Sequence, residues 1–419
     1  MQNQQTDYDL IIVGGGMVGA SLAAALLPQA KALDLSIAII EAVPLPSRAA
    51  AEFQPSYDAR ATALAYGSRL IYEQMGVWDA LAKGVAPIEQ IHVSDKGHFG
   101  ATRLNASEER VPALGYVIEN HWLGQVLLRH IQTHEAADHV EFLCPATVEK
   151  ITPNAQQISL TLKHESGEQQ LSAQLIVLAD GGRSTLREQL GIAYQETAYG
   201  QHAIVANISP DRDHQGVAYE RFTDTGPMAL LPLQSQAGIA RCGLVWTVSD
   251  AQLDDILALD DDAFMAAVQE RFGYRAGRFI KVGERASYPL KLTLADEQVR
   301  QGLVVLGNAA HALHPIAGQG YNLALRGVVD LADHVIATRK AQQPLGGLSG
   351  LQQFHTARMA DQQRTIGLSD KTMKLFSTAN PALALGRDMG LQLLDICRPA
   401  KTLFARGAMG LDIKAPKLK

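Results

Sequence analysis

The sequence predicts an α/β fold with a mostly antiparallel β-sheet inserted into it and a helical region at the C-terminal end. Three patterns carry that expectation. Apolar strands run into glycine-rich bends and then into helices at residues 8–27, 173–191 and 303–336. Between about 186 and 290 lie short segments rich in β-branched and aromatic residues, "HAIVANIS", "GVAYERF", "MALLPL" and "IARCGLVWTV", separated by turn formers. Beyond 345 the apolar spacing becomes helical.

The first bend is "YDLIIVGGGMVGASLAAALL". Gly14, Gly16 and Gly19 form GxGxxG between an apolar strand and a helix. Gly14 permits a tight turn, Gly16 lets backbone approach a pyrophosphate, and Gly19 allows close helix–strand packing. A second strand, "SIAII", ends at Glu41, 22 residues after Gly19, where an acid binds a ribose hydroxyl pair. This is a Rossmann-like pattern, and the acid favours FAD or NAD over NADP. A glycine turn in an unrelated βαβ unit is the plain alternative, and the strand, helix and distal acid together argue against it.

The second bend, "AQLIVLADGGRSTLREQLG", is a strand ending at Asp180–Gly181, then a helix opening near Ser184. Taken alone, Asp-Gly is a turn and Ser184 an N-cap. The third, "GNAAHALHPIAGQGYNL" at 307–323, holds three glycines, a proline and two histidines between the strand "LVVL" and a helix. Three such bends converging on one crevice suit an extended ligand with two ends. No second GxGxxG follows Asp180, so a separate NAD(P)H domain is not expected.

Bulk properties bound the function. The 419 residues suffice for two domains or one composite one, and 47% hydrophobic with 19% charged residues reads as globular. Net charge is −6, which provides no basic field for nucleic acid. Cys144, Cys242 and Cys397 lie far apart without a CxxC, so no metal site is expected and a reducing compartment fits. The start "MQNQQTDYD" is polar, and no apolar run nears the roughly 20 residues that span a bilayer. A cytoplasmic location is expected, with at most peripheral membrane contact.

The three fingerprints, Gly14-x-Gly16-x-x-Gly19, Asp180–Gly181 and the Gly307 bend, resemble those of the class A flavoprotein aromatic hydroxylases. "DARATALAYGSRLIYEQMGVW", "YERFTDTGPMALLPL", "HPIAGQGYNLALRG" and "TIGLSDKTMKLF" resemble the ubiquinone-biosynthesis hydroxylases, the UbiH/UbiF/VisC family. Within it, "GNAA" with "LHPIAGQG" is most similar to the branch that hydroxylates 2-polyprenyl-6-methoxyphenol. Related hydroxylases of the pathway usually have "NPLAGQG". Most of the class has Gly-Asp where this chain has Gly307–Asn308.

The resemblance implies an FAD-binding fold of the aromatic hydroxylase type, with FAD bound and NAD(P)H as a transient electron donor. Its FAD-binding parts would be 1–75, 110–185 and 291–345. A substrate domain would comprise 76–109 and a β-sheet over 186–290, with the helical region at 346–419. Cofactor contacts are implied for Gly14, Gly16, Gly19, Glu41, Arg60, Asn120, Arg129, Asp180, Gly181, Gly307, Asn308, Gln319 and Asn322. Arg129 is otherwise a solvated helix charge. Asn308 can still accept from a ribityl hydroxyl through its amide oxygen. Pro315, Gly318 and Gly320 would form the catalytic loop along the flavin ring, with Gly320 in a positive-φ conformation. His311 and His314 are expected to be packing residues. No base for the phenol is identifiable.

The implied substrates are a polyprenyl phenol and O2, hydroxylated para to the phenol group. The almost uncharged "GPMALLPL" suits a greasy substrate. Partners would be a multiprotein assembly of the pathway, or membrane at the basic C-terminal end, "DIKAPKLK"; plain docking of a terminal helix is the alternative. Two other functions remain: a sister hydroxylase acting elsewhere on the ring, and a non-catalytic flavin- or prenyl-lipid-binding subunit.

Overall fold

A computed structural model describes residues 6–45, 54, 56, 60–97, 100–154, 157–182, 184–313, 318–376, 389–390 and 392–412. In chain order the strands are β1 (Tyr8–Val13), β2 (Ile37–Ile40), β3 (Ala61–Ala65), β4 (Val85–Ile88), β5 (Gln90–Asp95), β6 (Ala101–Asn105), β7 (Gly115–Glu119), β8 (Val140–Leu143), β9 (Ala146–Pro153) and β10 (Ile158–His164). They continue as β11 (Gly167–Leu178), β12 (Tyr194–Pro210), β13 (Val217–Thr223), β14 (Gly226–Gln236), β15 (Ile239–Ser249), β16 (Phe279–Val282), β17 (Ala286–Ala295), β18 (Val299–Arg300), β19 (Leu303–Val305) and β20 (His311–Ala312). The longer helices are α1 (Met17–Ala30), α2 (Tyr66–Gln74), α3 (Asn120–Thr133), α4 (Asp261–Phe272), α5 (Gln319–Lys340), α6 (Leu348–Phe376) and α7 (Arg398–Ala408).

One sheet has the order β18-β19-β11-β1-β2-β8, with every pair from β19 to β8 parallel. Its strands are apolar on both sides because both faces are covered. Leu10 and Ile12 join a core with Leu22, Leu26, Leu127 and Val328. Ile11 and Val13 join another with Leu160, Leu162 and Leu186. Helix α1 is buried almost all round, which its run of Ala and Leu permits. The register matters most: Val13 is level with Leu178 and Ile40, and Leu178 with Val305. Adjacent strands thus end at one rim, where ligands of open α/β sheets bind.

The second sheet has the order β20-β17-β12-β15-β14-β13-β5-β6, with β16 on β12, and all its pairs are antiparallel except β13–β5. One face packs on α4 through Phe264, Val268 and Phe272. The other meets a small sheet, β3-β7-β4, through Leu233 and Ala218 against Ile88 and Val117. The stretch from 186 to 290 is not all strand, since α4 and a short helix, Leu253–Leu257, interrupt it. Asp260 caps α4 by accepting from the Ala263 N–H at 2.8 Å. The third bend is also more than a bend: β20 lies within it and pairs with β17, so it joins the two sheets. At the C-terminal end, Ala405 and Met409 dock into the core between the sheets.

Candidate flavin site and substrate face

The first glycine bend shows a division of labour. Gly14 has φ +106°, and a Cβ there would sit 2.6 Å from the Ala179 carbonyl oxygen. A Cβ on Gly19 would lie 1.9 Å from the Gly14 carbonyl oxygen. Both positions serve the fold. A Cβ on Gly16 would meet nothing within 4 Å. Gly16 is the N-cap of α1, no side chain caps that end, and its first turn holds no acid. The helix therefore directs uncapped N–H groups and a positive dipole end at open space, the chemistry that holds a pyrophosphate. Glu41 stands beside it and accepts the Gly15 N–H at 2.8 Å and the Val43 N–H at 3.0 Å.

The three bends touch one another. Gly14 abuts Ala179 and Asp180, Gly307 abuts Val18, and Gly182 lies against the Asn308 carbonyl. The side chain of Asn308 is exposed. Asp180 uses its carboxylate locally: it accepts the N–H groups of Gly182 at 2.9 Å and Ser184 at 3.1 Å, and the Ser184 hydroxyl. Gly181 and Gly182 are both left-handed, at φ +72° and +74°. The Ser184 hydroxyl accepts the Leu186 N–H at 3.3 Å, although Thr185 holds the N-cap position. The following helix is a single turn, Leu186–Gln189, with Thr185 before it.

Arg60 donates to the Tyr288 hydroxyl at 2.8 Å, and its carbonyl accepts the Asn120 N–H at 2.8 Å. Asn120 opens α3 and accepts from Thr62 at 2.6 Å through its side chain. Arg129 is exposed near the other end of that helix. Gln319 donates to the Ala408 carbonyl at 3.4 Å.

Two expectations require correction. Asn322 is 1% exposed. Its amide donates to the carbonyls of Ala63 and Gly318 and accepts from the Ala65 N–H and the Ser68 hydroxyl. All four bonding positions are filled, so Asn322 is a strut pinning the loop to β3 and its side chain has nothing left for a cofactor. The positive φ belongs to Gly318, at +60°, and not to Gly320, which lies in the first turn of α5 with open space at its Cβ. Pro315 and His314 fall outside the described residues. His311 is buried on β20, and burial above all, then Arg358, pushes its imidazole down to about 4, so it is neutral at pH 7. That fits a packing residue.

Sequence reasoning missed a buried ion pair. Arg241 on β15 is 0% exposed and bonds Glu119 of β7 at 2.5 Å, the Ser56 carbonyl at 2.5 Å and the Gln234 carbonyl at 2.9 Å. Asn207 on β12 also donates to the Ser56 carbonyl, at 2.9 Å. These bonds clamp the second sheet to the segment leading to Arg60. The available signal was an arginine inside an otherwise apolar strand, "IARCGLVW".

Among the described residues no group of three His, Cys, Asp or Glu side chains is placed to hold a metal, and no helix is long and apolar enough to cross a membrane. The residues present fit FAD: an open glycine cradle, an uncapped helix end, an acid beside it and three touching bends.

The model of a family described as FAD binding domain matches residues 7–369. The chain is 35% identical over 402 residues to the ubiquinone hydroxylase UbiL of Rhodospirillum rubrum, across 96% of this chain and 89% of that one. It is 29% identical over 412 residues to the 3-demethoxyubiquinol 3-hydroxylase of Escherichia coli, across 98% and 100%. Among solved structures, p-nitrophenol 4-monooxygenase PnpA from Pseudomonas putida matches with a TM-score of 0.75 and 17% identity, across 98% and 99% of the chains, and shares the fold. The chain belongs to the FAD-binding domain family and, within it, to the ubiquinone-biosynthesis hydroxylases: it is an FAD-dependent monooxygenase that draws electrons from NAD(P)H.

Proposed function

We propose that this enzyme hydroxylates 2-polyprenyl-6-methoxyphenol para to its hydroxyl, giving the 1,4-benzoquinol. The observation that supports the reading is the bonding of Arg60 and Ser56 to the face of the second sheet that bears Arg241, Asn207 and Tyr288. Bound FAD supplies the chemistry, taking a hydride from NAD(P)H and activating O2. The protein holds the cofactor through Gly14, Gly16, Gly19, Glu41, Arg60, Asn120, Asp180, Gly181, Gly307 and Asn308, and excludes water from the ring. Gly318 and Gly320 line the ring edge in this reading. Exposed Leu393, Ile396, Leu403 and Phe404, with Arg398 and Arg406, give the C-terminal helices a face suited to a membrane surface or to the pathway's other proteins.

Identity to a 3-hydroxylase favours one second reading, hydroxylation at another ring position. The para assignment rests on "LHPIAGQG". Incubation with NAD(P)H, O2 and a short-chain 2-prenyl-6-methoxyphenol, followed by product mass and NMR, decides between them. A product hydroxylated elsewhere removes the para assignment, and NAD(P)H oxidation indifferent to the phenol removes the reading as a whole.

Two substitutions test the cofactor loop. Asn308→Asp should retain FAD, because a carboxylate also accepts from a ribityl hydroxyl. Asn308→Leu should weaken FAD binding by about 1–3 kcal/mol, the cost of an unpaired polar group. Equal affinities by titration of the apoprotein would place the side chain away from the cofactor. Gly320→Ala should fold normally, since its Cβ meets nothing within 4 Å and its backbone is helical. It should still bind FAD and oxidise NAD(P)H, yet form less quinol and release more hydrogen peroxide. A tenfold fall in coupling corresponds to about 1.4 kcal/mol. Unchanged coupling would move the oxygen-reacting edge away from this loop.

A further inference from the structure

The face of the second sheet that looks toward the flavin-binding part carries several polar side chains, among them Asn207, Arg241, Asp95 and Glu220. Strand β13 alternates: Tyr219 joins the core under α4, whereas Ala218 joins the core shared with β4 and β7. Glu220 has the parity of Ala218, so it too faces the flavin-binding part. Its partners across the strands are Val93 on β5 and Ala229 on β14, and Ala229 is paired in turn with Val245 and that with Val205. All five of these residues are half-buried, while the rows on either side of them are largely closed. They form one half-buried row across the sheet, four apolar side chains and one carboxyl. Further along β12 and β15, Asn207 and Arg241 bond Ser56 and Glu119, and Tyr288 on β17 bonds Arg60. The face that carries Glu220 is therefore the one bonded to Ser56 and Arg60.

Glu220 has no hydrogen-bond or ion-pair partner among the described residues. Arg241, which shares its face, is engaged by Glu119. Arg221 has the opposite parity, and Asp95, one pair further along on the same face, bonds elsewhere. Burial alone pushes the Glu220 carboxyl up to about 7. An unpaired carboxyl in a row of apolar side chains costs stability, so its presence needs a functional reason.

We propose that Glu220 is the base that takes the phenol proton of the substrate. The proposal rests on the hydroxylase reading above and names the group that reading lacks. The phenol O–H bond breaks, its proton passes to a Glu220 oxygen, and the electron pair stays on the ring oxygen. The electron-rich ring then accepts oxygen at carbon. The ring C–H proton leaves to solvent, and Glu220 returns its proton to the quinol oxygen. O2 and NAD(P)H supply the oxidant and reductant of the overall reaction, which releases one water. A carboxyl titrating near 7 is matched to this task at neutral pH.

The test compares wild type, Glu220→Gln and Glu220→Asp as FAD-loaded enzymes, on short-chain 2-prenyl-6-methoxyphenol and on a ring-fluorinated analogue with a more acidic hydroxyl. In wild type, kcat for quinol formation should rise through about pH 7 and level off. Glu220→Gln should fold, bind FAD and be reduced by NAD(P)H normally. It should form quinol about 10²-fold more slowly, without the inflection near pH 7, and recover on the acidic phenol. Glu220→Asp should keep a titrating step. A Glu220→Gln enzyme with the wild-type rate and profile overturns the proposal. So does one that is slow on both phenols alike, which marks a structural role. Absence of quinol from wild type would instead discard the hydroxylase reading.

Discussion

Gly16→Val should yield a folded, colourless protein. The substituted Cβ meets no protein atom within 4 Å, and the backbone, at φ −67° and ψ −172°, is one that valine adopts readily. As an N-cap, Val is inferior to Gly by about 1 kcal/mol at most. The fold therefore tolerates the change. The cofactor should not, because the branched side chain fills the space that a pyrophosphate needs against the first turn of α1. Flavin absorbance after gel filtration should be lost while circular dichroism stays that of wild type. Gly19→Val supplies the contrast: its Cβ would lie 1.9 Å from the Gly14 carbonyl oxygen, so fold and flavin should be lost together. Full FAD occupancy in Gly16→Val would show that this bend is not the site.

Glu119→Ala should destabilise the protein by about 3–5 kcal/mol, because it strands the fully buried Arg241 guanidinium without its carboxylate. The Arg241→Met, Glu119→Ala double variant should recover part of that loss, since the uncompensated charge is then gone. Urea unfolding of the three variants measures it. A loss below about 1 kcal/mol for Glu119→Ala would mean that water reaches the pair. The double variant isolates a second role. It retains an apolar core but loses the bond to the Ser56 carbonyl, and with it one tie between the second sheet and the approach to Arg60. Its KM for the phenol should rise even where stability is regained.

The glycine rim was legible because its requirements are local. Gly19 is dictated by a contact within one βαβ unit, Gly14 by the positive φ of its own turn, and Glu41 follows from the length of that unit. The helical face of α3, with Leu123, Leu127 and Ile131 buried, was legible for the same reason: periodicity reports burial. Helix α4 was missed although Asp260 signalled its start, because β-branched and aromatic segments on both sides dominated the pattern. Asn322 was misassigned because a conspicuous polar residue after a glycine loop looks alike whether it binds a ligand or a backbone. The choice depends on β3, some 260 residues away in the chain.

The sequence alone determined that this chain binds a dinucleotide at a strand–glycine–helix bend, and its longer motifs carried the likeness to flavin hydroxylases. Those signals are short-range: a turn, a cap, a spacing of residues along one element. Only the tertiary structure decided which bends touch, which face of the second sheet meets the rim, and which polar residues are already satisfied. Glu220 shows why. Its parity along β13 can be read from "VAYERF", but two faces of a strand are equivalent until the sheet is packed. The core under α4 takes one face, and the core shared with β4 and β7 takes the other. Side-chain direction is set locally, whereas what lies in that direction is set by contacts between residues far apart in the chain.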